Sequence, residues 1–541
     1  MAPRALPKGC AMAAEAWARI AGATAAAEAG FQALLGQLET TQRELLRGLI
    51  EANAGTEFGR DHAFASATSA EAFRDLVPVA DYEALLPYIR RTVDGAGNVL
   101  TAEPVRFLEQ TGGSSGGSKY IPYTDSGLRA FTSCLYPWLA DLIRRRPGVA
   151  QGNGYFALSP VGRGADERVG AHRLGSPVPF AYFGALRDSL IELSAVPMEL
   201  RLLGDFASWQ RQTCLHLLAA DELSLIWVWS PTYLTEILRA MQRDAASLLP
   251  ELADRLGATR PAGRVSRRIA VLEAALGGSG AGLSAIWPRL DTISCWTDAS
   301  SRGFAAELQG QFPQTFIQSK GLMSTEAAVS FPYADGPGCI LASQSGFFEF
   351  LDDSGAGRFA WQLEVGGCYR LIVTTGSGLY RYDTQDMVEV CGFTGDTPRL
   401  RFIGRAGMVS DLCGEKLTEA FVARCLADTG LDPRTYALLV AVAAPHPHYR
   451  LFVETGGTAG RIAPPGPAVE HALMANPQYE YARRIGQLGA LRATTVDDLY
   501  GRLKRHRMKG GASIAGMKAP ILLRQSDDAL LSALDAGEAG V

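Results

Sequence analysis

Between Phe107-Leu108 and Ile121 the chain passes through Thr111-Gly112-Gly113-Ser114-Ser115-Gly116-Gly117-Ser118-Lys119. So much glycine cannot stay in a regular element, because glycine loses more backbone freedom on ordering than any other residue. The stretch is a loop held between apolar flanks. Such a loop suits phosphate: glycines let backbone N–H groups converge on an anion, the hydroxyls of Thr111, Ser114 and Ser115 donate further hydrogen bonds, and Lys119 adds a mobile positive charge. It is not a P-loop. That pattern, G-x-x-x-x-G-K-[ST], fails by one residue, since Ser118 separates Gly117 from Lys119, and Pro122 interrupts the place where a helix would begin. A plain flexible linker is the alternative for any Gly/Ser run; apolar flanks and a lysine speak against it.

The chain has 541 residues, too many for one compact core, so two or more domains are expected. A charged share of 20% and a net charge of −4 leave no basic bias toward nucleic acid. The one dense basic run, Arg502 to Lys509, reads as a solvated helix face. Nine scattered cysteines without a C-x-x-C pattern read as free thiols of a reducing compartment, and no apolar run reaches the roughly 18 residues a membrane span needs. A cytoplasmic monomer without membrane partners is expected.

Residues 12–55 carry helical spacing, and Thr68-Ser69-Ala70-Glu71 is a capping-box helix start followed by the extended break Val77-Pro78-Val79. After the glycine loop a helix and then a strand at Gly154–Ser159 give a β-loop-α-β pattern. The apolar run Leu223–Trp229 reads as a buried strand ending at Ser230-Pro231. Trp227, Trp229, Thr232 and Tyr233 therefore stand at a strand's carboxyl end, where open α/β sheets bind ligands, and are candidates for a small-molecule pocket; core packing is the alternative. From Asp291 the texture turns to β, a sheet or distorted barrel, and near Gly404–Gly414 it changes again to a smaller α+β unit. Two domains are expected, 1–407 and 408–541.

Two distant segments are suited to partner the loop. In Gly321-Leu322-Met323-Ser324-Thr325-Glu326 a strand meets a Gly turn and then two hydroxyls and a carboxylate. Ser324 and Thr325 suit phosphate, and Glu326 suits Mg²⁺; a helix N-cap would explain the triplet equally. In Tyr380-Arg381-Tyr382-Asp383-Thr384-Gln385-Asp386 a strand ends in a tight turn, where the Asp386 carboxylate matches the paired hydroxyls of a ribose, while Asp383 is equally a turn-former. Arg405, after Phe402-Ile403-Gly404, suits ribose or phosphate, or an ordinary surface ion pair. Lys416 and Lys518 lie in small-residue surroundings and are suited to neutralise charge at phosphorus.

These segments resemble the Gretchen Hagen auxin-responsive acyl acid-amido synthetases, plant enzymes with bacterial relatives in the adenylate-forming class that includes firefly luciferase and acyl-CoA synthetases. Thr111-Gly112, Ser114, Gly116 and Lys119 match the family's first motif, Ser324-Thr325-Glu326 its second, and Tyr380-Arg381, Asp386, Gly392-Phe393 and Phe402-Ile403-Gly404-Arg405 its third. Phe73–Ile89, Asn476–Gly489 and Gly511–Pro520 resemble its terminal signatures. The resemblance implies an α/β fold: a large N-terminal domain of helix-flanked sheets plus a distorted β-barrel, and a mobile C-terminal α+β domain hinged near Gly404–Gly414. It implies ATP and Mg²⁺, adenylation of a small carboxylic acid and transfer to an amine or amino acid. Thr111, Gly112, Ser114, Ser115 and Lys119 would hold phosphates; Thr325 and Glu326 the α-phosphate and metal; Gly321, Leu322, Met323, Ser324 and Phe402 the nucleotide; Asp386 the ribose and Arg405 ribose or phosphate; and Lys416, Lys518 and Glu326 would be catalytic. Thioester formation and a non-catalytic nucleotide module are the alternatives. The chain departs from the pattern at Gly113, at Leu322, and at Gln385, which stands where the family has Gly, so that its turn is made without positive φ or at a cost.

Overall fold

The computed structural model describes residues 10–112, 118–157, 167–176, 178–278, 282–352, 354–406, 409–455, 465–509, 519–524 and 526–535. The Ala- and Leu-rich start folds as α1 (Cys10–Leu34) and α2 (Leu38–Asn53). Helix α3 (Ala70–Leu76) begins where the capping pattern places it, with the Ser69 side chain accepting from Ala72 N, and ends at the extended residue Val77. Helix α4 (Tyr82–Val93) is capped by Asp81. A hairpin of β1 (Phe107–Gly112) and β2 (Ser118–Tyr123) follows, then α5 (Asp125–Arg145).

A parallel sheet comes next, in the order β3 (Asn153–Phe156), β4 (Leu223–Trp227), β5 (Thr292–Cys295), β6 (Phe316–Ser319). Every residue of β4 is buried, as a parallel strand covered on both faces requires. Helices α6 (Phe206–Ala219) and α7 (Pro231–Arg243) flank β4 in the chain, and the break at Ser230-Pro231 is where α7 starts.

The β-rich stretch forms one antiparallel sheet of seven strands: β7 (Ser330–Phe331), β8 (Cys339–Leu341), β9 (Phe347–Leu351), β10 (Gly357–Phe359), β11 (Cys368–Thr374), β12 (Tyr382–Thr394) and β13 (Thr397–Arg405). Their spatial order is β10-β9-β11-β12-β13-β8-β7. Register shifts on both sides of β12 bend this sheet.

Beyond residue 409 lies a four-stranded mixed sheet of β14 (Ala437–Val442), β15 (His448–Glu454), β16 (Arg492–Val496) and β17 (Leu522–Leu523), ordered β16-β15-β14-β17. Successive residues of β14 serve two cores, Leu439 and Ala441 on one face, Leu438 and Val440 on the other. The second core reaches Phe304, which packs on Tyr436 and Tyr500 at 5.4 and 5.3 Å. Helix α8 (Leu499–Lys509) holds the basic run, which is more than a solvated face: Leu503 is in the core, and the buried Lys504 Nζ lies 2.6 Å from Glu236 of α7. Among the described residues no helix is long and apolar enough to cross a membrane, and Cys134, Cys214, Cys295, Cys339, Cys368, Cys391, Cys413 and Cys425 are free thiols.

One ion pair ties the amino-terminal helices to the large sheet. Arg381 and Glu349 are 6% and 1% exposed. Arg381 donates from Nε and Nη2 to the Glu349 carboxylate at 2.8 and 3.1 Å, and from Nη1 to the carbonyls of Val77 and Arg74 at 2.6 and 2.9 Å. Arg74 adds a third arm, its Nε 3.1 Å from Glu349. Removing one member strands the other in a low-dielectric interior. Arg381→Met or Glu349→Gln alone is expected to cost about 3–5 kcal/mol in urea unfolding, and the apolar double replacement less than either. Single losses under about 1 kcal/mol would contradict the arrangement.

A second test concerns the seat of the C-terminal sheet. Burial raises the Glu454 carboxyl pKa to about 7, against a hydrogen bond from Tyr500 N. Its folded pKa lies above its unfolded one, so the folded state is relatively favoured at low pH, and stability falls as pH rises from the ordinary carboxylate range through 7. Glu454→Gln is expected to raise the melting temperature at pH 8 by an amount reflecting up to about 3 kcal/mol, and to change it little at pH 5. An equal effect at both values would refute the assignment.

Candidate functional site

The glycine loop is the tip of a hairpin. Thr111 pairs with Lys119 and Gly112 with Ser118, so the lysine stands on a returning strand and not at a helix start. The β-loop-α expectation is corrected here: β2 intervenes, and α5 begins only at Asp125 with Thr124 as its cap. A proline is tolerated in β2, whose edge needs no N–H at that position. Residues 113–117, and with them Ser114 and Ser115, lie outside the described residues. Lys119 Nζ lies 5.2 Å from the Tyr82 ring, and the Tyr82 hydroxyl accepts from Tyr120 N at 2.8 Å.

The second segment is a turn, not a helix start. Gly321 adopts φ +77°, and a Cβ there would lie 2.3 Å from Ser330 O, so both conformation and space require glycine. Met323 bridges Ala328, and the Ser324 hydroxyl accepts from the backbone N–H groups of Glu326 and Ala327 at 3.2 and 3.3 Å. This turn carries Thr325 and Glu326 at its tip. It is stitched to the hairpin: the Tyr123 hydroxyl donates to Thr325 O at 2.6 Å.

In the third segment Gln385 takes φ +62°, the unfavourable outcome for a residue standing in place of glycine. The Asp383 carboxylate accepts from Gln385 N and Nε2 at 2.9 and 2.5 Å, holding this conformation as a turn-former. Burial raises the Asp383 carboxyl pKa. Asp386 follows, buried, opposite Arg405 in the ladder, with Arg405 Nε 3.0 Å from Asp386 Oδ1 and Arg405 Nη2 2.8 Å from Thr384 O.

The second and third segments converge on one cavity, lined by Gly321, Leu322, Met323, Ser324, Asp386 and Phe402 together with Ser319, Trp296, Thr297, Asp298 and Ser301. The Trp296–Asp298 run and Ser301 were not singled out from the sequence. The signal was there: β5 ends at Cys295, so this run occupies a parallel strand's carboxyl end, the position that drew attention to Trp227. Burial raises the Asp298 carboxyl pKa against a hydrogen bond from the Phe402 backbone.

Other candidates fall elsewhere. Trp229 packs between Trp227 and Trp296 in tilted contacts at 5.2 and 5.9 Å, next to the cavity. Tyr233 packs in a buried core, its hydroxyl 2.7 Å from that of buried Tyr155, and Thr232 bonds Ser230 and Tyr500 at 2.7 and 3.1 Å. Lys416 has φ +47° and an exposed side chain outside the cavity. Its neighbour Glu415 is fully buried, accepting from Leu412 N and Cys413 N at 2.8 and 2.7 Å and from the Tyr449 hydroxyl. Lys518 lies outside the described residues.

The donor set fits a nucleotide and one hard cation. Hydroxyls and backbone amides surround the turn, and the Glu326 carboxylate has no hydrogen bond or ion pair among the described residues. A single uncommitted carboxylate is what Mg²⁺ needs when phosphate oxygens and water supply its other ligands. No cluster of three or more metal-ligating side chains occurs among the described residues.

Residues 27–317 match the GH3 family N-terminal domain, 339–405 its central domain and 415–527 its C-terminal domain. The chain is 26% identical to the probable indole-3-acetic acid-amido synthetase GH3.12 of Oryza sativa subsp. japonica, over 91% of this chain and 92% of the relative. It is 24% identical to the jasmonoyl-L-amino acid synthetase JAR4 of Nicotiana attenuata, over 91% and 92%. Its fold is that of the AtGH3.15 acyl acid amido synthetase in complex with 2,4-DB, with TM-score 0.82 and 19% identity over 94% of this chain and 95% of the other. A 2-hydroxyisobutyryl-CoA ligase in the postadenylation state is similar more distantly, with TM-score 0.51 and 12% identity over 90% of both chains.

The positive-φ positions Gly321, which lines the cavity, and Gln385, next to the cavity-lining Asp386, should respond differently to substitution. Gly321→Ala forces a left-handed conformation and a clash, and should lower stability by about 1–3 kcal/mol. Gln385→Gly relieves strain while giving up one side-chain hydrogen bond, and should stay within about 1 kcal/mol of the parent. Thermal melts of both variants check this; a Gln385→Gly loss as large as that of Gly321→Ala would show the strain is misplaced.

Proposed function

The chain belongs to the GH3 family, and on that premise we propose that it is an ATP-dependent acyl acid-amido synthetase with its nucleotide site at the cavity between the Gly321 turn and Asp386. A carboxylate oxygen attacks the α-phosphorus of ATP, the bond to pyrophosphate breaks, and an acyl-adenylate remains. An amine, by its relatives' names an amino acid, then attacks the acyl carbon; the bond to AMP breaks, the amine loses a proton, and an amide forms. This chemistry needs positioning and charge neutralisation more than a covalent nucleophile.

The observation carrying the reading is the convergence of Gly321, Leu322, Met323, Ser324, Asp386 and Phe402 on one cavity, with the glycine hairpin fastened to the same turn through Tyr123. In this reading Gly321, Leu322, Met323 and Phe402 pack the adenine, and Asp386, oriented by Arg405, accepts from the ribose hydroxyls. Thr111, Gly112, Ser114, Ser115 and Lys119 meet the phosphates, Lys119 drawing off charge as pyrophosphate leaves. Ser324 and Thr325 hold the α-phosphate. Glu326 would hold Mg²⁺, which supplies Lewis-acid neutralisation of phosphate charge. Units 1–407 and 408–541 turn relative to each other between half-reactions, bringing Lys416 or Lys518 to the phosphorus in turn. The seat between them combines the Phe304–Tyr436–Tyr500 aromatic contact with two polar ties, Thr232–Tyr500 and Glu236–Lys504, that would part and re-form.

Carboxylate-dependent exchange of pyrophosphate into ATP tests the proposal. Lys119→Ala and Glu326→Ala should each lower the exchange rate by about 10²-fold or more while leaving the melting temperature near that of the parent. Lys518→Ala should impair one half-reaction only. Unchanged exchange in the first two variants would overturn their roles. Product analysis with amino acids and with coenzyme A side by side separates amide from thioester formation.

A further inference from the structure

Lys320 stands at the carboxyl end of β6, one residue before the Gly321 turn. It is 2% exposed, and its Nζ has no hydrogen-bond partner among the described residues. It lies 3.5 Å from the Trp227 ring centroid and 4.9 Å from that of Trp229. Burial drives its pKa well below the ordinary lysine value, with only the buried Cys295 thiol acting the other way. An amine buried without a hydrogen-bond partner is less stable in place than a methionine of similar length would be. Such a group in a folded protein calls for a role.

Its direction points to one. Neighbouring residues along a strand face opposite sides. Ser319 lines the cavity shared with Ser324 and Asp386, whereas Lys320 turns to the tryptophans. Trp229 joins the two sides, its ring tilted against Trp227 at 5.2 Å and against the cavity-lining Trp296 at 5.9 Å. A run of three tryptophan rings in mutual contact thus connects the cavity wall to the amine.

We propose that Lys320, framed by Trp227 and Trp229, determines acid specificity by taking an oxygen acceptor at the end of the substrate remote from the carboxylate that is activated. The substrate class is a flat, aromatic acid bearing a second carboxylate, phenolate or carbonyl oxygen. The inference rests on the synthetase reading above. Indole faces hold the ring by offset or edge contact. The amine, unsatisfied without ligand, favours a substrate that completes it. A purely apolar pocket separates such analogues by about 10–200-fold, whereas a buried hydrogen-bonding group rejects the analogue lacking its partner far more strongly.

The test uses matched acids, terephthalate against 4-methylbenzoate and 4-hydroxybenzoate against benzoate, on the full chain. Binding is read without ATP from quenching of tryptophan fluorescence, and activity from pyrophosphate exchange. The oxygen-bearing member of each pair should bind at least about 100-fold more tightly, and Lys320→Met should level the pair or reverse it while melting no lower than the parent. Lys320→Gln, which keeps a shorter donor, should retain part of the preference. Absence of preference in the parent, or preference unchanged in Lys320→Met, overturns the inference. Exchange that proceeds with preference unmoved by the variant would leave the synthetase reading standing alone. A Lys320-dependent binding preference without exchange from any acid would leave the subsite and remove that reading.

Discussion

A buried guanidinium with all of its strong interactions inside the protein holds the amino-terminal helices and the seven-stranded sheet in register. Arg381 reaches Glu349 on β9 and the carbonyls at the end of α3, and it does so from a left-handed backbone conformation, φ +44°. Ion pairs of this kind add little net stability relative to an apolar core, yet a misaligned alternative would leave a charge unpaired, and that alternative is strongly excluded. Arg381 fixes where β12 starts. Ala80 exchanges hydrogen bonds with Arg381 O and Asp383 N beside it, and the Tyr380 hydroxyl donates to Leu100 O at 2.7 Å. Once that start is fixed, the place of Asp383, Gln385 and Asp386 follows along the strand.

The same segment carries backbone strain. Arg381 just before β12, Gln385 on it and Lys416 beyond β13 all have positive φ without being glycine. Each is held by a carboxylate in or next to it: Glu349 for Arg381, Asp383 for Gln385, and Glu415, whose buried oxygens pin the Leu412–Cys413 turn, for Lys416. Strained positions persist where surrounding interactions over-determine them. Three such positions stand at the strand pair that bears Asp386 and Arg405 and on the connection to the C-terminal sheet. Asn476 bears on that connection too, capping a helix while donating to Glu415 O at 3.0 Å.

Much of this was legible in the sequence. The Ser69 cap, the break at Val77, the wholly buried strand at Leu223 and the stop at Ser230-Pro231 are local properties of short stretches, and local chemistry dictates them. The glycine loop declared itself for the same reason, since no regular element tolerates that composition. Charge pairing was not legible. Tyr380-Arg381 matches a family motif, but nothing in the chain order says that the arginine serves the core and the aspartate five residues later the cavity edge.

What the sequence determined by itself was the list of chemical groups and the order of elements: a phosphate-suited loop, a hydroxyl-carboxylate turn and a strand-borne aspartate, each readable because turn and strand propensities act over a few residues. What only the tertiary structure decided was which of those groups meet. Tyr233 went to the core, Trp296 and Asp298 came to the cavity, and Lys320 was enclosed by tryptophans from another strand. The physical reason is that side-chain direction and burial depend on the neighbouring strands and helices. Those neighbours lie tens to hundreds of residues away, so no window of sequence contains them.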